Sequence, residues 1–158
     1  MAIQRGACAF ALLLLTACGA EPPAHLREAD GPLAACPHRP NCVFSLAADA
    51  THHIEPLQYA GAAQHAREAL IKVIESMPGG KVIQAPADYV RAEFTSARLK
   101  FVDDVEFLIA ADIGVIQLRS ASRIGFSDRG VNRARVEAIR AQLLPTIYEI
   151  SILRPGTP

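Results

Sequence analysis

The chain has 158 residues, of which 51% are hydrophobic and 20% charged, with 16 basic and 16 acidic side chains and no tryptophan. That composition excludes a disordered protein and leaves enough apolar residues for the core of one small domain. A net charge of zero gives no electrostatic footprint for nucleic acid or for an anionic lipid surface, so neither is expected as a charge-selected partner.

The first element in chain order is a short apolar run, Leu12 to Leu15, preceded by Arg5 and followed by Thr16-Ala17-Cys18-Gly19. A basic start, an apolar stretch too short to span a bilayer and small residues at its end describe a signal peptide over residues 1–17. Leu15-Thr16-Ala17-Cys18 resembles the lipobox of bacterial lipoproteins. The resemblance implies cleavage before Cys18, acylation of that cysteine and a membrane partner held through the acyl chains. Gly19 in place of an aspartate resembles the outer-membrane sorting pattern, which puts the expected location on the periplasmic face of that membrane. Residues 18–35, with Pro22, Pro23, Gly31 and Pro32 and no hydrophobic period, read as the lipidated cysteine and a tether. A single domain is expected over residues 36–153.

Cys8 leaves with the signal and Cys18 is the lipid site, so Cys36 and Cys42 remain as a close pair in an exported, oxidising setting. A disulfide closing the loop Pro37-His38-Arg39-Pro40-Asn41 is expected. The metal alternative would recruit His38, His52 and His53, but the spacing fits no common zinc pattern, and no metal or cofactor is expected.

Apolar residues at Ala66, Leu70, Val73 and Met77 recur at helical spacing and predict an amphipathic helix within Gly61–Met77, closed by Pro78-Gly79-Gly80. Lys81–Ala85 and Asp88–Thr95 are β-prone around Pro86. Phe101–Ala110 and Ile113–Ser120 are stronger strands joined by a tight turn near Asp112. A second helix is expected over about Val131–Leu144, stopped by Pro145, with Ile147–Leu153 as a possible last strand. The order predicts an α+β fold: an antiparallel sheet of four or five strands with two helices on one face.

A turn centred on Asp112-Ile113 pairs Phe107 with Leu118 and Ile109 with Ile116, which makes one face of the hairpin apolar. The other face then carries Asp104, Glu106, Gln117 and Arg119, with Glu106 opposite Arg119. The segment from Arg119 to Arg133 follows, dense in arginine, serine and glycine, and Ser127 or Asp128 can satisfy the amides at the second helix's start. Two readings of this cluster stay open. Arg119, Arg123 and Arg133 near a helix N-terminus can hold an anion or carboxylate, or they can pair with Asp103, Asp104, Glu106 and Asp128 in a network that fixes the loop to the sheet. The expected site therefore comprises Asp103, Asp104, Glu106, Arg119, Ser120, Ser122, Arg123, Asp128, Asn132 and Arg133. Arg123, Asp128, Asn132 and Arg133 are expected to close over the Glu106–Arg119 pair.

Cys36-Pro37, Pro40-Asn41-Cys42, His53 to Leu57, Phe101 to Phe107, Arg119 to Arg123 and Gly130 to Arg133 together resemble the uncharacterised domain family numbered 1499, over roughly Cys36 to Leu144. Phe126 departs from that pattern, where a tyrosine is expected. The resemblance implies no activity or cofactor. It implies that the acidic strand and the Arg/Ser/Asn loop belong to one site. No nucleophile elbow, phosphate loop or zinc motif is present. The expected function is thus non-enzymatic: a lipid-anchored envelope protein that binds a small anionic ligand or an envelope protein, or serves a structural role, through the polar face. The alternative is a hydrolase using Asp104 and Glu106 as an acid and base pair.

Overall fold

A computed structural model describes residues 26–27 and 31–153, and for 146–153 the backbone alone. The signal segment and Cys18 lie outside the described residues. The described chain runs β1 (Cys42–Phe44), β2 (Leu57–Gln58), α1 (Ala63–Ser76), β3 (Gly80–Gln84), β4 (Tyr89–Thr95), β5 (Val102–Ala110), β6 (Val115–Ser122) and α2 (Val131–Leu153). Strands β3 to β6 form an antiparallel meander. The short strands β1 and β2 pair with different stretches of β6's outer edge, which brings the sheet to six strands, slightly more than expected.

Helix α1 forms because Ala66, Ala69, Leu70, Val73 and Ile74 make one apolar stripe, and all five are buried. It ends at a turn that only glycine fits. Gly79 has φ +77°, and a Cβ there would lie 2.3 Å from the Thr95 carbonyl oxygen. Both helices cover one face of the sheet, meeting Val90, Ala92, Phe94, Val105, Phe107, Ile109, Ile116 and Leu118 in a single core. The β5–β6 register is the expected one, with Phe107 opposite Leu118 and Ile109 opposite Ile116. Alternation in both strands demands it, because a slip of one residue would exchange the apolar and acidic faces.

Two expectations are corrected. Helix α2 does not stop at Pro145 but continues through it to Leu153, so Ile147–Leu153 is helix and not a strand. A proline inside a helix removes one hydrogen bond and crowds the preceding turn. It does not by itself reverse the chain, and residues 145–153 contain no glycine or asparagine to turn it back to the sheet. The stretch read as a tether also contributes to the packed domain. Leu33 is buried against Phe44 and Tyr89 on the sheet's other face, and the Arg27 guanidinium lies 5.0 Å from the Tyr89 ring centre.

Candidate functional site

Because Val105, Phe107 and Ile109 point to the helices, strand parity turns Asp104 and Glu106 to the opposite face. Their neighbours in register are Glu93 and Arg91 on β4 and Ala121 and Arg119 on β6. On an open sheet these charges would be solvated, but here residues from the chain's N-terminal part lie over them. Asp104 and Glu106 are 1% and 0% exposed and Arg119 1%.

The carboxylates are occupied. Arg123 grips Asp104 with Nε at 2.7 Å and Nη2 at 2.9 Å, and Arg91 Nη2 donates to the same group at 3.1 Å. Glu93 accepts from both arginines. Glu106 accepts from the Tyr89 hydroxyl and the Arg27 amide, both at 2.8 Å, while Arg119 Nη1 reaches its other oxygen at 3.4 Å. Burial and the adjacent Glu106 charge push the Tyr89 phenol well above its usual value. The hydrogen bonds from Arg123 to Asp104 raise that guanidinium further, whereas burial lowers Arg119 against the pull of Glu106 and Asp104.

Among the described residues Arg119 is the largest fully buried side chain, and its Nε and Nη2 have no hydrogen-bond partner there. A buried donor left in that state costs about 1–3 kcal/mol. The residue borders a cavity of about 240 Å³ together with Pro37, Arg39, Asn41, Asp104, Ser122 and Arg123. Small Ala121 beneath it leaves the space open. The outer wall is the loop closed by the Cys36–Cys42 disulfide, whose Cα atoms are 5.7 Å apart. His52 Nε2 lies 3.2 Å from the Arg39 carbonyl oxygen and steadies that loop from outside.

The ten residues read from the sequence do not form one site. Asp104, Glu106, Arg119 and Arg123 share the face just described. Asp103, Ser120 and Ser122 have the opposite parity. On the helix side, Arg135 pairs with Asp103, and buried Asn132 bonds Ser120 at 2.6 Å, Ser122 at 3.0 Å, the Asn41 carbonyl at 3.1 Å and Asp128 at 2.8 Å. Asp128 also accepts from the Gly130 and Asn132 amides and so caps α2. Burial opposes its charge, yet those amides hold its carboxyl below the usual range. Asn132 is satisfied on every side, which makes this second network a clamp between β6, α2 and the disulfide loop. Arg133 joins neither network and donates to the Thr51 carbonyl at 3.1 Å. Asp128, Asn132 and Arg133 therefore do not close over Glu106 and Arg119, because loop proximity in sequence carried them to the other side of the sheet.

Several residues of the two networks were not singled out from the sequence. Tyr89, Arg91 and Glu93 alternate with Val90, Ala92 and Phe94, so the period-2 pattern of β4 was a usable signal. Arg135 follows Asn132 by three residues, one helical turn. Arg27, Arg39 and Asn41 come from irregular chain with no periodicity to place them. A family model described as a protein of unknown function (DUF1499) matches residues 32–143, which span both networks apart from Arg27. No curated protein and no solved structure matches the chain.

Proposed function

The chain belongs to the DUF1499 family, whose description assigns no activity, and we propose that it is a lipid-anchored bacterial envelope protein that works by binding a small anionic ligand. The anchor rests on Leu15-Thr16-Ala17-Cys18 at the end of an apolar run with a basic start. The binding role rests on one observation, the buried Arg119 with two open donors on the wall of a cavity. Arg91 Nε and Arg27 Nη1 in the same layer also lack partners among the described residues, but of these three arginines only Arg119 borders the cavity. Catalysis by Asp104 and Glu106 is disfavoured by their contacts. Every oxygen of the pair is engaged by an arginine, Tyr89 or the Arg27 amide, leaving neither carboxylate directed at a substrate.

The test has two parts on the full-length chain. Mass spectrometry of the membrane fraction should find Cys18 as the acylated first residue, and Cys18→Ser should leave the precursor unlipidated. An unmodified or different N-terminus would reject the anchor. Nitrogen-15 spectra of the arginine Nε–H groups should show the Arg119 signal moving saturably with some small anion from a panel of carboxylates, phosphate and sulfate. A signal that stays fixed across the whole panel would reject the binding role.

A further inference from the structure

Nε and Nη2 of arginine form one edge of the guanidinium fork, spaced to meet two oxygens of a planar group side by side. In Arg119 that whole edge is open while Nη1 faces Glu106. A second open group borders the same cavity. Asn41 has its Oδ1 buried and without a partner among the described residues, and its amide is oriented by Nδ2 donating to the Gly125 carbonyl at 3.0 Å and the Ser122 carbonyl at 3.4 Å. Arg119 and Asn41 both line the cavity, and between them they hold a paired donor edge and, separately, one acceptor without partners among the described residues.

The charge balance narrows the ligand. Arg27, Arg91, Arg119 and Arg123 have Asp88, Glu93, Asp104 and Glu106 as ion-pair partners. Exposed Arg39 borders the cavity and has no ion pair among the described residues. One surplus positive charge suits one negative charge, and a dianion would meet Asp104 in the same wall. A volume of about 240 Å³ lies below the roughly 300–1,000 Å³ of sites for drug-sized molecules.

Resting on the binding role proposed above, we infer that the cavity takes a single carboxylate bearing an uncharged O–H or N–H donor on the neighbouring carbon. The carboxylate lies along the Nε–Nη2 edge of Arg119 and the donor faces Asn41 Oδ1. Two sources carry this chemistry, a free small hydroxy acid and the C-terminal residue of a peptide.

Titration of the full-length protein with lactate, N-acetylalanine, acetate, alanine and phosphate tests it, read at the Arg119 Nε–H and by calorimetry. Lactate or N-acetylalanine should saturate by about 10 mM, where even a millimolar Kd is largely filled. Whichever of the two binds more tightly identifies the source. Acetate lacks the donor and should bind more weakly, as should alanine, whose ammonium adds positive charge. Arg119→Lys keeps a charge beside Glu106 but loses the paired edge, and it should weaken binding at least about tenfold. Arg39→Ala, at the exposed rim and outside the core, should weaken it about threefold without unfolding the protein. Phosphate binding tighter than both lactate and N-acetylalanine, or acetate equalling them, overturns the inference and leaves the binding role standing. Silence with every anion overturns both.

Discussion

At the scale of single residues, buried Arg119 is held by one long contact to Glu106, and Glu106 in turn depends on it. Arg119→Ala should cost about 3–5 kcal/mol in urea unfolding, because Glu106 is left buried without its cationic partner. The double change Arg119→Met with Glu106→Gln should recover most of that loss, since both charges then leave the interior together. Asp128 makes a different prediction. Its carboxyl is depressed in the folded state from an ordinary value of 3.8 by the amides at the start of α2. Its contribution is therefore complete above about pH 4 and lost as pH falls through the lower folded value. Asp128→Ala should cost about 1 kcal/mol at neutral pH, and the difference from wild type should vanish in strongly acid solution. A difference independent of pH in thermal unfolding would reject the charged cap.

Turns and cross-links govern the elements. The α1–β3 connection leaves no room at Gly79, where a side chain meets the Thr95 backbone and the φ is positive. Gly79→Ala should lower stability by more than about 2 kcal/mol through clash and backbone strain together, measured by chemical unfolding. The disulfide closes only a short loop, with a sequence separation of 6. Replacing Cys36 and Cys42 by serine should cost about 2 kcal/mol. The circular dichroism of the sheet should persist. The Arg119 Nε–H should lose its response to small anions, because the cavity wall carrying Arg39 and Asn41 is no longer closed. The β5–β6 hairpin was legible in advance, since Val105, Phe107 and Ile109 alternate with Asp104 and Glu106 and Ile116 and Leu118 alternate with Gln117 and Arg119, which favours one register. Helix α2 beyond Pro145 was not legible, because proline weakens a helix without dictating the structure that follows.

The molecule as a whole is a sheet with an apolar core on one face and a charged layer on the other, and chain from before β1 helps cover the charged layer. Leu33 is 5% exposed and packs with Phe44 and Tyr89. Leu33→Ala should cost about 2–3 kcal/mol, in the lower range for a buried leucine. Hydrogen exchange should quicken first at Arg27, β1 and the disulfide loop, while central β5 amides keep the protection of global unfolding. Equal acceleration throughout would show that the cover and the core open as one unit.

Local patterns in the chain were enough to read the α+β class, the two helices on one face, the β5–β6 register with Glu106 opposite Arg119, the disulfide and the family. Each depends on periodicity, close spacing or a run of matched residues, all of which are local. The division of the polar residues into two networks came from the folded arrangement alone. Residues adjacent in the chain, such as Arg119 and Ser120, point to opposite faces, where Arg119 meets Glu106 and Ser120 meets Asn132, and each network is completed by distant chain, Arg27 on Glu106 and Asn41 on Asn132. The open edge of Arg119 belongs to the same class. A buried donor lacks a partner only because distant chain seals the space around it, and that closure has no signature in any one stretch of sequence.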